Sequence, residues 1–359
     1  MTESDTSRAS SERPGEGDPF APGPGTQDPE AVLAQVRQKS IEYHRQRRRR
    51  QLRISIGLFI ATFISTTLVG SNFEPWAMFP GLIDTSQQKQ ILSRVNKHYP
   101  LPAGTVMTFQ QRYADFALQG LSYSCPLMMI LLCHEMGHYL QAVRYRIPAT
   151  YPFFIPLPLP PLGTMGAVIA QQRGIADRKQ MFDIAVSGPL AGLIATLPVL
   201  YYGIKASSVD VIPPGPHWEF GEPYVIRWFI QWIHGPVPDG QTLFMNGFAM
   251  AGWVGVFITA LNLLPVGQLD GGHLTYTMLG KSAHWIAVAL VLVAAAAMYL
   301  TRTYSYIVFL VLIMFMGTRH PPTRDDTVPL GATRHIIGWL TLAFLFIGFT
   351  MTPIVVKNN

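Results

Sequence analysis

Seven apolar runs, at 52–71, 116–142, 181–204, 242–264, 283–301, 304–318 and 335–354, dominate the pattern along the chain. An α-helix rises about 1.5 Å per residue, so roughly 20 apolar residues cross the hydrocarbon layer of a bilayer. The runs therefore predict an all-α membrane protein, a polytopic bundle of about seven transmembrane helices. Two stretches break the helical pattern. Tyr151-Pro152-Phe153-Phe154-Ile155-Pro156-Leu157-Pro158-Leu159-Pro160-Pro161 is apolar, but its prolines forbid a continuous helix. Gly163-Thr164-Met165-Gly166-Ala167-Val168-Ile169 follows and reads as a bend and a short strand, a re-entrant or β segment. Irregular backbone survives at membrane depth only where protein buries it or it lines a wet cavity. The second break, Asn262 to Gly272, ends the fourth run with a polar, turn-rich stretch.

Composition supports a membrane protein rather than soluble domains. Hydrophobic residues make up 49% of the 359 and charged residues 13%, whereas soluble domains carry about 25% charged residues. The net charge of +6 is local, with Arg45 and Arg47 to Arg50 standing directly before the first run. Such a cluster reads as a topogenic anchor that also meets anionic headgroups of the bilayer. Nucleic-acid binding is excluded because no recognition fold accompanies the basic patch. With the N-terminus placed in the cytoplasm, 19 Lys and Arg fall on that side and 8 on the other, as the positive-inside rule requires. Residues 1–50 are expected to form a cytoplasmic tail, the first 28 of them disordered and 29–50 a short amphipathic helix. Residues 51–359 are expected to form the transmembrane domain. No secretory or transit-peptide layout is recognisable, which points to a multi-pass plasma-membrane protein, a bacterial inner membrane being the expected compartment. Cys125 and Cys133 lie in one run, roughly 12 Å apart along a helix, too far for a disulfide.

The chemistry sits in the second run, at His134-Glu135-Met136-Gly137-His138. Residues four apart project from one helix face, so the two imidazoles can hold one zinc ion, and the Glu between them can serve as base toward water. Three adjacent ionisable groups inside an apolar helix cost several kcal/mol unless they have partners. His138 precedes Arg144 by about 9 Å of helix and His134 by about 15 Å, which sets the site within the membrane toward the cytoplasmic half. A catalytic zinc takes a third protein ligand. Asp270, after the fourth run, returns to the same side and depth; His273 is an alternative ligand. Asp183, at the start of the third run, reads as an interfacial residue. Gly188 and Gly192, and Gly247, Ala251 and Gly255, are small-residue pairs that read as close helix packing.

His134 to His138, taken with Asn262-Leu263-Leu264-Pro265-Val266-Gly267-Gln268-Leu269-Asp270-Gly271, resembles the site-2 protease family of intramembrane zinc metalloproteases. Asp183 to Gly192 is similar to that family's small-residue third core helix. Phe153 to Ala167 is similar to the Pro-rich, Gly-Thr-x-Gly stretch of a bacterial and plastid branch. The resemblance covers roughly 115–280, the expected catalytic core. It implies one zinc per chain held by His134, His138 and Asp270, with Glu135 as catalytic base. It also implies that Asn262 lies near a transmembrane protein substrate, as a hydrogen-bond donor. Residues 205–241 leave no room for the PDZ module of other branches. Val168 and Ile169, beyond Gly166, could offer a strand edge to an unwound substrate. The competing readings are a catalytically inactive homologue that binds membrane clients and, with less support, a metal transporter. Transport needs polar groups spread over several helices, and the last three runs offer almost none.

Overall fold

The computed structural model describes residues 29–71, 84–98, 105–172, 174–212, 216–302, 306–318 and 320–358. The chain divides into two compact units, 1–50 and 51–359. In the first, residues 29–50 are helical and belong to α1 (Pro29–Gly70); the expectation of disorder before residue 29 falls outside the described residues. The second unit carries all the other elements. After α1 come α2 (Thr85–His98), α3 (Phe109–Arg144), β1 (Phe153–Pro156), β2 (Thr164–Val168) and α4 (Arg178–Lys205). Next are β3 (Ser208–Val211), β4 (Pro216–Phe220), α5 (Tyr224–His234), β5 (Gln241–Phe244), α6 (Gly247–Asn262) and α7 (Asp270–Leu279). The chain closes with α8 (Ser282–Thr301), α9 (Ile307–Met316), α10 (Ala332–Gly348) and β6 (Ile354–Asn358).

Among the described residues, four helices are long and apolar enough to cross a membrane: α1 from Leu33, α3, α4 and α8; α6 and α10 are shorter apolar helices. Each apolar run became a helix, but the ends moved where local chemistry competes. Thr108 and Gln111 form a capping box that starts α3 at Phe109, well before residue 116. Asp177 and Gln180 do the same for α4, which leaves Asp183 inside its second turn. The run expected at 242–264 begins as helix only at Gly247, where Asn246 caps it, because residues 241–244 pair as β5. The last run stops at Gly348, and the residues beyond Pro353 enter β6.

The chain is mostly helical, as expected, and carries more strand than the one β segment anticipated. Among the described residues there are three two-stranded antiparallel ladders, β1 with β2, β3 with β5 and β4 with β6. The first is the anticipated irregular segment, a hairpin with Phe153 opposite Val168 and a register shift before Pro156 opposite Thr164. Of the other two, β3 with β5 closes the 206–246 connection on itself around α5, and β4 with β6 joins that connection to the C-terminal strand. Alternating apolar residues there are too few to have signalled strands.

The core is α3, α4 and α6 packed on one another, with α7 against α4. Close approach is possible because the contact positions are small. A Cβ on Gly255 of α6 would stand 2.8 Å from Thr196 of α4 and 3.2 Å from Ile130 of α3. α1 lies on the hairpin: Ser55 Oγ donates to the Pro152 carbonyl (2.5 Å) and Ser65 Oγ to that of Gly163 (2.7 Å). α10 is fixed by an ion pair. Arg334 Nε and Nη2 donate to the two oxygens of Asp183 at 2.8 and 2.9 Å, and the Tyr145 hydroxyl donates to the same carboxylate at 2.5 Å. Asp183 thus ties α4 to α10 and to the end of α3. The pair is bidentate but Arg334 is 34% exposed, so Arg334→Leu should cost about 1–2 kcal/mol. It should lower the thermal denaturation midpoint in detergent while the metal content stays at the wild-type level. An unchanged midpoint would show that the pair adds nothing to packing.

Candidate metal centre

His134 and His138 stand one turn apart on the buried face of α3, and the chain returns to them at the first residue of α7. The loop from Leu263 to Leu269 folds back over the end of α6, and Gly271 makes this possible: a Cβ there would lie 2.0 Å from the Leu263 carbonyl oxygen. Only a glycine admits that approach, and it delivers Asp270 to the two rings. Asp270 Oδ2 lies 3.1 Å from His134 Nε2, Asp270 Oδ1 lies 3.3 Å from His138 Nε2, and the two Nε2 atoms are 3.3 Å apart. Both histidines are buried.

These spacings suit a metal ion. Ligand atoms about 2.0–2.1 Å from a tetrahedral zinc stand about 3.3–3.4 Å from one another, close to the observed edges. The rings are also oriented for it. His138 Nδ1 sits 2.7 Å from the Ile184 carbonyl oxygen, which can only accept, so Nδ1 carries the proton and Nε2 presents its lone pair to the centre. Among the described residues, His134, His138 and Asp270 form the group of His, Cys, Asp and Glu able to converge on one ion. Their donor set, two imidazoles and a carboxylate, is one that zinc accepts.

Glu135 is buried beside the trio, at 5% exposure, with no hydrogen bond to its carboxylate among the described residues. Asn262, the last residue of α6, reaches the trio with Nδ2 at 3.4 Å from His134 Nε2. Gly166 and Val168 lie in β2, and Ile169 follows it; the hairpin is outside the trio. Gly166 has φ +92° with open space where a Cβ would be, and Val168 is half exposed. His273, the alternative ligand, does not join the centre. Its Nδ1 pairs instead with His320 Nε2 at 2.5 Å. Position explains this: three residues beyond Asp270 on α7, it turns toward the loop after α9.

Gly188 and Gly192, which the sequence suggests chiefly as packing positions, stand against the imidazoles. A Cβ on Gly188 would stand 2.0 Å from His138 Nε2, and one on Gly192 would stand 3.0 Å from His134 Nδ1. α4 therefore presents a bare backbone to both imidazoles. The available signal was a matched spacing, with Gly188 and Gly192 four apart like His134 and His138. Gly188→Ala should displace a ring already pinned at Ile184, and the purified variant should retain at least tenfold less bound metal at equal free metal. Full retention would show that His138 has room to move.

Residues 122–301, half of the chain, match Peptidase family M50. The chain is 32% identical over 178 residues to the probable zinc metalloprotease EGY1, chloroplastic, of Oryza sativa subsp. japonica, covering 48% of this chain and 30% of that protein. It is 28% identical over 229 residues to the Arabidopsis thaliana protein of the same name, covering 62% of this chain and 40% of that one. It is 27% identical over 215 residues to the probable zinc metalloprotease EGY2, chloroplastic, of Arabidopsis thaliana, covering 58% and 38%. The chain thus spans less than half the length of these relatives. With the family's segment containing His134, His138, Asn262 and Asp270 alike, the chain belongs to peptidase family M50, the site-2 protease family.

Proposed function

We propose that the protein is an intramembrane zinc metalloprotease that hydrolyses peptide bonds of membrane-embedded proteins. The observation that carries this reading is the convergence of His134, His138 and Asp270 on one point inside an apolar bundle, with Glu135 buried alongside. His134 Nε2, His138 Nε2 and an Asp270 carboxylate oxygen would hold the zinc. Bound there, zinc supplies a Lewis acid that acidifies water and polarises the scissile carbonyl. Glu135 takes the proton from the attacking water on its carboxylate and delivers it to the leaving amine nitrogen. Asn262, with its amide facing the centre, donates to a substrate carbonyl. An unoccupied carboxylate next to the trio serves this role better than one already tied into a hydrogen bond.

A membrane helix hides its amides in its own hydrogen bonds, so the substrate must unwind before cleavage. β2 is paired on one edge by β1 and, among the described residues, by no strand on the other. The Gly166, Val168 and Ile169 stretch is therefore suited to pair with an extended substrate segment. Seven spans, formed by α1, α3, α4, α6, α8, α9 and α10, with the hairpin re-entrant between α3 and α4, account for the apolar helices together. The charge asymmetry favours an N-terminus, with the 1–50 tail, on the cytoplasmic side.

Glu135→Gln should keep close to one zinc per chain and lose cleavage of a membrane-helix fusion by about 10²–10⁴-fold. Unaltered cleavage would remove Glu135 from the chemistry and leave a client-binding role as the better reading. Proline at Val168 or Ile169 should impair cleavage with zinc retained, since each removes a backbone donor. Cleavage at the wild-type rate would eliminate the strand-edge part of the proposal.

A further inference from the structure

Away from the metal centre, α7, the start of α8 and the loop after α9 enclose a cavity of about 490 Å³. That volume lies in the range of small-molecule sites. Its polar lining is mostly basic and aromatic: Lys281, His284, His320, Tyr276 and Trp285, with Thr318 beside them. The ring atoms His284 Nδ1 and His320 Nδ1 are buried without a hydrogen-bond partner among the described residues. A buried polar atom left unpaired costs free energy unless a ligand supplies its partner. The site is held in shape by the loop. The His320 ring stacks on Tyr276 with centroids 4.3 Å apart, and the Tyr276 hydroxyl donates to Asp326 Oδ2 at 2.8 Å. That carboxylate is thereby engaged, also accepting from Thr323 Oγ1 at 2.6 Å, and leaves Lys281 as the charge at the rim.

We propose that this cavity binds a phosphate-bearing anion, with Lys281, His284 and His320 as its partners. A permanent cation beside two imidazole ring nitrogens that lack a partner among the described residues suits a phosphate oxygen cluster. The rest of the wall, Thr318 apart, is apolar, with Ala283, Ala287 and Pro322 in it, and suits a glycerol or acyl portion. The first residues of α8, a 20-residue apolar helix, line the cavity, and Trp285 there is 71% exposed. Tryptophan and lysine at the end of a spanning helix mark the headgroup layer, and basic pockets between such helices receive anionic lipid. The headgroup of an anionic phospholipid is thus the first source, and a soluble phosphate ester is the second. The back wall is formed by Pro265, Gly267 and Gly272, the segment that delivers Asp270 to the two histidines. An occupant therefore braces the loop behind the metal centre; this last consequence rests on the metal reading, whereas the binding itself does not.

The test uses the full chain, delipidated in neutral detergent, and reads bound lipid by native mass spectrometry, with zinc content measured in parallel. Phosphatidylglycerol should be retained and phosphatidylcholine should not. Lys281→Ala combined with His284→Ala should weaken retention about tenfold or more. The exposed charge reversal Lys281→Glu, which leaves the buried packing untouched, should do likewise. Glycerol 3-phosphate bound without an acyl chain, and lost in the same variants, would support the site with a soluble source. Failure of both ligands to bind, or equal binding by wild type and variants, would overturn it. A chain that binds phosphatidylglycerol but holds no zinc would leave the anion site standing and refute the metal reading alone.

Discussion

A carboxylate and two imidazoles buried in an apolar bundle must be satisfied there, and the helices around His134, His138 and Asp270 are shaped by that demand. α3 supplies the rings on one face, α4 withdraws its side chains opposite them at Gly188 and Gly192, and the Ile184 carbonyl fixes one ring's tautomer. The break between α6 and α7 exists to bring Asp270 to the same point. A continuous helix through 262–272 would carry that side chain past the rings, and the glycine at 271 is what lets the returning backbone lie against Leu263.

Around this centre the remaining elements read as supports. Asp183 joins α4 to α10 and Tyr145, so the helix that backs the imidazoles is held at its N-terminal end. α1 donates hydroxyls to both ends of the β1–β2 hairpin. The loop after α9 clasps α7 through His320 and Asp326. A single helix, α7, is thereby shared by the metal centre and the basic cavity behind it, which makes the position of Asp270 sensitive to what fills that cavity.

Much of this was legible in the sequence because its signals are local or are set by the bilayer. The His-x-x-x-His spacing places two side chains on one face whatever the fold. Membrane depth and sidedness bring Asp270 toward them without knowledge of packing. Run length locates the apolar helices. What escaped depends on partners far away in the chain: Gly188 gains its meaning only opposite His138, and Asp183 meets Arg334 across 151 positions. His273 was a reasonable ligand by spacing, but a residue from the loop after α9 claims it. α5 and α7, at 11 and 10 residues, fall below the length at which periodicity separates a short helix from a loop, and the two ladders beside α5 are held by main-chain bonds that composition does not reveal.

The central claim is that one zinc ion is held by two imidazoles and a carboxylate inside the bundle. X-ray absorption at the zinc edge, on the full chain purified with its metal, tests it most directly. The account predicts nitrogen and oxygen ligands alone at about 2.0–2.1 Å, with the scattering signature of two imidazoles. A sulfur ligand at about 2.3 Å, which would draw in Cys133 beside His134, or a protein that binds no zinc, would contradict it.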